Sequence, residues 1–303
     1  MQIVMHNLSK IYPGGLAALN NVSLSLGTGM FGLLGPNGAG KTTMMRILAT
    51  LLEPTSGEVT IGGLELRSHR SEIRKILGYL SQEFGAYPGL RVFEFIDYIA
   101  SLDGVGDGSG RKKLVEEALG QVGLFEVRDR KIKKLSGGML RRLGVAQALI
   151  GKPKLLIVDE PTVGLDPEER IKFRALLQEI GREIVIILST HIVGDIGSTC
   201  EKLALLNKGT VVFQGSPQAL IQKAEGRTWE LEVEEREFSA VKDRFSVIAT
   251  ATEGGRLRLR VVGEDRGGFP VKPVKPNLED AYIYTMEKIA AVDRRSLDNA
   301  VGE

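Results

Sequence analysis

Nine consecutive residues, Gly35-Pro36-Asn37-Gly38-Ala39-Gly40-Lys41-Thr42-Thr43, constrain this chain more than any others. They run glycine, four residues, glycine, lysine, threonine. The apolar run Met30-Phe31-Gly32-Leu33-Leu34 before them reads as a buried strand, and Met44-Met45-Arg46-Ile47-Leu48 after them reads as a helix. That strand–loop–helix context is what a phosphate-binding loop requires. Glycines let the backbone curl until several N–H groups point at one anion, and the helix that follows adds the positive end of its dipole. Gly35, Pro36, Asn37, Gly38, Ala39, Gly40, Lys41, Thr42 and Thr43 are therefore candidate binding residues for a nucleoside triphosphate. Lys41 is placed to hold the β- and γ-phosphates as a point charge, and Thr42 to offer its hydroxyl to Mg²⁺. The loop alone leaves open which triphosphate is bound and what its energy serves.

A chain of 303 residues exceeds the usual single core, so two domains are expected. Hydrophobic residues at 43% and charged residues at 26% are those of an ordinary globular protein. A net charge of +2 is too small to argue for nucleic acid or an anionic membrane as partner. The one cysteine, Cys200, excludes an internal disulfide and fits a reducing compartment. It has no activating neighbour in sequence and reads as a passive, partly buried thiol. The start of the chain lacks the basic-then-apolar pattern of a secretion signal. No apolar run approaches the ~20 residues that span a bilayer, so a membrane role is expected to borrow its membrane part from another chain.

Along the chain, residues 2–5 and 22–26 read as strands near a sheet edge, with a turn at 10–15 between them. A strand at 58–61, a helix at 73–77 and a short strand at 78–81 follow the phosphate loop and its helix. From 93 to 148 the apolar residues recur at helical spacing and read as a helical insert, in which the glycine-rich stretch 103–110 reads as a surface loop. Strand–helix alternation resumes at 154–158 and continues through a helix at 167–182, a strand at 184–188, a helix near 194–201 and strands at 202–206 and 211–213. Repeated strand–helix units imply a mainly parallel, buried sheet, which binds ligands at the carboxyl ends of its strands. After about residue 226 the texture changes to an alternating strand (228–234), a short helix (238–245), a hairpin around Glu253-Gly254-Gly255, an extended proline-bounded linker (270–276) and an amphipathic helix (278–291). This predicts a small α+β domain over 226–291, with 292–303 as a disordered tail. Arg256, Arg258 and Arg260 share one strand face. Without interleaved stacking aromatics that face reads as solvated rather than as a nucleic-acid surface.

The second chemical element is Leu155-Leu156-Ile157-Val158-Asp159-Glu160, a buried strand from whose end two acids emerge. Asp159 is placed to hold Mg²⁺, mostly through water, and Glu160 to orient and deprotonate an attacking water. A helix-capping acid pair is the alternative for these two residues taken alone. The third element is Leu135-Ser136-Gly137-Gly138-Met139 ahead of an apolar helix. A serine and two glycines there make an anion-receiving helix N-terminus, or simply a serine-capped helix.

Taken together, these motifs resemble those of the ATP-binding cassette (ABC) family, the third element resembling its signature. The resemblance covers about residues 1–223. It implies a P-loop NTPase fold with a RecA-like, mainly parallel sheet, an antiparallel β subdomain and a helical insert at about 90–150. It also implies that Ser136 and Gly138 contact the γ-phosphate bound on an opposite subunit, with Gly137 between them in the same nucleotide-binding set. The usual fifth signature residue is glutamine; Met139-Leu140-Arg141-Arg142 here is similar to many drug-export-type members. Tyr12 resembles the aromatic residue that stacks on adenine, and Gln82 the glutamine that reaches Mg²⁺ or the water. Asp166, in Gly164-Leu165-Asp166, resembles the aspartate that crosses the dimer interface. His191, ending Ser189-Thr190-His191, resembles the switch histidine on the γ-phosphate.

The resemblance implies ATP and Mg²⁺ as cofactors, with Glu160, His191, Lys41 and Gln82 as the catalytic set and Thr42, Gln82 and Asp159 around the metal. Its implied partners are a second ATPase subunit, in a homodimer, and a separate transmembrane permease that holds the chain at the inner face of the cell membrane. Closing the dimer on ATP would drive export, with the C-terminal domain stabilising the dimer. An importer ATPase and a non-transport cassette ATPase on ribosomes or DNA are the alternatives. The single cassette and the lack of a long coiled coil speak against the second. A protein that binds ATP without hydrolysis is disfavoured by the intact Lys41, Asp159, Glu160 and His191. No nucleic acid is expected.

Overall fold

The computed structural model describes residues 1–106, 108–264 and 267–301. The chain divides into two compact units, Met1–Gln214 and Gly215–Glu303.

The first unit opens with β1 (Ile3–Ile11), β2 (Ala17–Leu26) and β3 (Met30–Leu34), and then α1 (Lys41–Leu48). There follow β4 (Ser56–Ile61), β5 (Leu64–Glu65), α2 (Arg70–Lys75) and β6 (Leu77–Leu80). Three helices come next, α3 (Val92–Leu102), α4 (Ser109–Gln121) and α5 (Gly137–Leu149). Alternation then resumes with β7 (Leu155–Asp159), α6 (Pro167–Ile180), β8 (Val185–Thr190), α7 (Val193–Gly197), β9 (Lys202–Asn207) and β10 (Thr210–Gly215).

The main sheet has the order β10-β9-β3-β8-β7-β6, and its pairs β9/β3, β3/β8, β8/β7 and β7/β6 are parallel. Every residue of β3, β7 and β8 is buried. That is why these strands read as unbroken apolar runs: a parallel sheet is covered on both faces. A second, antiparallel sheet runs β2-β1-β4-β5. Its strands alternate, and one core that includes Leu8, Leu24, Leu33, Met44, Ile47, Ile157 and Ile187 joins both sheets to α1.

Two boundaries differ from the sequence reading for identifiable reasons. Strand β1 does not stop at Met5 but runs on to Ile11, and β2 begins at Ala17 rather than Val22. Asn7 (φ 49°) and Asn21 (φ 53°) take left-handed backbone, which asparagine tolerates, and register shifts in the β1/β2 pairing absorb the polar interruption. Helix α2 ends at Lys75, and Leu77, expected as its last residue, opens β6 by pairing with Leu155.

The helical insert is α3 to α5. Asp97 and Arg111 tie α3 to α4 in a two-pronged pair at 2.8 and 3.2 Å. Of the stretch 103–110 expected as a loop, Ser109 and Gly110 already open α4; Asp107 lies outside the described residues. Helix α5 packs on β6, so the insert leans on the edge strand of the parallel sheet.

The second unit holds α8 (Pro217–Gln222), β11 (Thr228–Val233), α9 (Phe238–Lys242), β12 (Ser246–Glu253), β13 (Arg256–Val262), β14 (Lys272–Pro273) and α10 (Leu278–Val301). The residues of α8, counted with the cassette in the sequence reading, lie in this unit and pack on α10. Its sheet, β12-β13-β11-β14, has a core of Leu231, Val233, Val241, Phe245, Leu259 and Val261. The only tryptophan of the chain, Trp229, packs on this core and donates its indole N–H to Gly263 O at 3.0 Å. The proline-bounded linker is extended as expected, but it also pairs with β11 through Lys272 and Pro273. Arg258 faces Glu230 at 3.1 Å. Arg260 grips Asp280, at the start of α10, at 2.9 and 2.6 Å. So the arginine face is laced with carboxylates. Helix α10 continues through Val301 into the stretch expected to be disordered; Gly302 and Glu303 lie outside the described residues.

Candidate active site

The parallel register sets where the chemistry collects. β3 ends at Leu34, β7 at Asp159 and β8 at Thr190, all on the same edge, because Leu34 pairs with Thr190 and Asp159 with Ser189. The residues that leave each strand there meet one another. From β3 comes the phosphate loop. It needs glycine at Gly40, where φ is +104° and a Cβ would overlap the Ala18 carbonyl oxygen. Among the loop N–H groups of the described residues, Ala39 is committed to Pro36 O at 3.2 Å.

Lys41 is almost fully buried. Its ammonium donates to Gly35 O (2.8 Å) and Pro36 O (3.1 Å) and pairs with Glu160 Oε1 at 3.1 Å. The other Glu160 oxygen meets His191 Nδ1 at 2.7 Å. One carboxylate therefore joins the loop lysine to the histidine that leaves β8. Glu160 itself has φ 47°, a left-handed conformation that costs a non-glycine residue on the order of 1–2 kcal/mol and clusters at functional sites.

Asp159 is completely buried. Its Oδ1 accepts from Ser189 Oγ and, at 3.4 Å, from Thr42 Oγ1. Its Oδ2 is buried without a hydrogen-bond partner among the described residues. Burial pushes the Asp159 carboxyl above its ordinary range, and the bonds from Ser189 and Thr42 oppose that push. An unpartnered buried carboxylate oxygen beside a threonine hydroxyl is a hard-oxygen donor set of the kind Mg²⁺ takes. The residues present thus fit that ion.

Tyr12, in the turn after β1, reaches the start of α1, with its hydroxyl 3.3 Å from Thr43 Oγ1. Gln82 lies two residues past β6 on the same edge. Its side chain is exposed and makes no hydrogen bond to Thr42, Asp159 or Glu160 among the described residues. Its carbonyl accepts from Arg141 of α5 at 2.6 Å.

Ser136, Gly137, Gly138 and Asp166 form a separate group. Ser136 caps α5 by accepting from Met139 N at 3.2 Å. Asp166 caps α6 by accepting from Glu169 N at 2.9 Å. The two caps are neighbours. A Cβ on Gly138 would overlap the Glu169 carboxylate, and Arg142 of α5 pairs with Glu169 at 3.3 Å. No hydrogen bond or ion pair among the described residues joins this group to the phosphate loop of the same chain. Behind the loop that ends in Asp166, Thr162 donates to the buried Asp195 of α7 at 2.5 Å, and Arg174 stands 3.7 Å from the same acid.

Sequence reasoning missed the work of Ser189, Asp195, Arg141 and Arg142. The two arginines tie the signature helix to the Gln82 segment and to α6. The signal for Ser189 was its place two residues before His191 at the end of an apolar strand, which puts both side chains on one face.

The ABC transporter family matches residues 19–163. The chain is 38% identical over 229 residues to the probable multidrug ABC transporter ATP-binding protein YbhF of Escherichia coli (strain K12), covering 75% of this chain. It spans 39% of that relative's length. It is 33% identical over 293 residues to the Nod factor export ATP-binding protein I of Burkholderia orbicola (strain AU 1054), covering 93% of this chain and 95% of that one. Its fold is similar to the ATP-binding cassette MJ0796, seen as a dimer in a post-hydrolysis state bound to ADP and Pi. The TM-score is 0.64 at 28% identity, over 71% of this chain and 98% of that one. By these likenesses the chain belongs to the ABC transporter family, whose ATPase cassette it carries.

Proposed function

We propose that this chain is the ATP-hydrolysing subunit of an export-type transporter, working as a dimer that closes on ATP and drives a separate membrane subunit. The observation that carries the reading is the carboxylate of Glu160 held between Lys41 (3.1 Å) and His191 (2.7 Å). Lys41 holds the β- and γ-phosphates, and the loop N–H groups and the N-terminus of α1 receive their charge. Glu160 orients a water and takes its proton, while His191, hydrogen-bonded to the same carboxylate, would touch the γ-phosphate. Thr42 and Asp159 would hold Mg²⁺, which when bound neutralises charge on the phosphate oxygens. Gln82 would reach the same place after a side-chain movement, and Tyr12 would stack on adenine beside Thr43.

The signature group supports a dimer. Ser136, Gly137, Gly138 and Asp166 are prepared at two helix N-termini yet unconnected to the loop of their own chain, so they would complete the site of a second copy. No helix among the described residues is long and apolar enough to cross a membrane. In this reading the membrane-spanning part is supplied by a separate permease, with this chain peripheral at the inner membrane face. Export is favoured over import by the relatives named for multidrug transport and Nod factor export.

The test is Glu160→Gln. It is expected to keep ATP affinity, lower turnover at least 100-fold in line with the loss of a general base, and accumulate an ATP-bound dimer in sedimentation. Hydrolysis at the normal rate would remove Glu160 from the role of base.

A further inference from the structure

We infer that Ser189 is a positioning residue that sets the metal-holding acid and the base together through a single hydroxyl; the inference rests on the roles proposed above for Asp159 and Glu160. Ser189 is the penultimate residue of β8 and is completely buried. It stands directly opposite Asp159 in the β7/β8 register. A serine hydroxyl has one hydrogen to give and lone pairs to receive. Here the hydrogen goes to Asp159 Oδ1, and a lone pair receives the backbone N–H of Glu160 at 3.0 Å.

Both bonds have geometric consequences. Asp159 has only one other hydrogen-bond donor among the described residues, Thr42 at 3.4 Å, and its Oδ2 has none. Ser189 thus fixes the carboxylate rotation and leaves one defined oxygen for the metal. Without that hydroxyl only the long Thr42 contact holds the carboxylate's rotation, and its free oxygen loses a firmly fixed direction. The second bond holds the peptide N–H of Glu160, which also reaches Ser189 O at 3.2 Å, in the left-handed conformation (φ 47°) from which its side chain arrives between Lys41 and His191. Two residues further on, His191 binds the carboxylate of the same glutamate. The end of β8 therefore grips Glu160 twice, by its backbone and by its side chain.

The test compares Ser189→Ala and Ser189→Thr, each in the full chain and again with Glu160→Gln. It reads equilibrium ATP binding in excess chelator, ATP binding as Mg²⁺ is titrated, and steady-state turnover. Ser189→Ala is expected to leave chelator-state ATP affinity within twofold. It should raise the Mg²⁺ concentration for half-maximal binding fivefold or more, and lower kcat about tenfold with KM for ATP unchanged at saturating Mg²⁺. Threonine keeps the hydroxyl and is expected to return both readouts toward the natural protein. Should its extra methyl prevent folding, Ser189→Cys, close in shape but a weak donor, is expected to side with alanine. The Mg²⁺ shift is expected to persist in the Glu160→Gln background. If that background instead hydrolysed ATP normally, the base assignment would fail while the Mg²⁺ result stood. A Ser189→Ala protein whose Mg²⁺ response and kcat both stay within twofold would overturn the inference. So would one that loses chelator-state ATP binding in step with its melting temperature, since that marks a purely structural serine.

Discussion

Glu160 shows how far residue chemistry is legible without coordinates. Its identity after an apolar strand predicts an acid at a strand end, and the structure puts that acid between Lys41 and His191. Its left-handed backbone was not legible, because the residues that bond it there, Ser189 and His191, lie about thirty positions away in sequence. Cys200 gives the converse case. It reads as a passive thiol, and it is buried at the end of the α7 segment with its thiol pushed up to about 12, chiefly by burial. The thiol is thus expected to resist a disulfide reagent at pH 8 in the folded protein and react at once in denaturant. The sign of the pH effect follows. An unfolded cysteine ionises near pH 8.5–9, whereas the folded one keeps its proton. Stability is full below that range and falls as pH rises from about 9 toward the folded value, by at most ~1.4 kcal/mol per pH unit. Denaturant midpoints of the natural protein and Cys200→Ala, compared from pH 8 to 10.5, check it: the pH slope of the first should exceed that of the second.

Among the elements, strands were the most legible where burial is complete on both faces, as in β3, β7 and β8, because composition alone then marks them. Edges were harder. β1 and β2 carry polar bulges at Asn7 and Asn21 that break the alternation on which a sequence reading relies. The contact of α5 with α6 was not legible at all, since it joins residues distant in sequence. It depends on Gly138 leaving room for Glu169, which in turn meets Arg142. Gly138→Ala is expected to push the Glu169 side chain aside. Because only the end of a flexible side chain must move, the cost in stability is about 1 kcal/mol, the scale of a partly exposed ion pair. Glu169→Ala removes the obstacle, so the double variant is expected to be no less stable than Glu169→Ala alone. Thermal unfolding of the four proteins measures this; simple additivity of the two losses would show that Gly138 and Glu169 do not share one space.

At the scale of the molecule, each unit has its own core, and the sequence showed the second only as a change of texture after the cassette motifs. The identity of the acid that anchors its last helix was hidden, because Arg260 and Asp280 come from different elements. Asp280 is fully buried and takes two bonds from Arg260. Arg260→Ala would leave that carboxylate with the one bond it accepts from Asn277 N at 2.7 Å, at a cost of about 3 kcal/mol, the lower end for a broken buried pair because the arginine is partly exposed. The expected result is an earlier denaturation midpoint in tryptophan emission, since Trp229 lies on the core of that unit; an unchanged midpoint would show the pair to be ornamental. The placement of Trp229 has a wider use. With the chain's only indole in the second unit, emission excited at the red edge is a private optical line from that unit, untouched by any tryptophan in the cassette. A shift of that emission on adding ATP would be news of the nucleotide received at the far end of the chain, read without attaching a label.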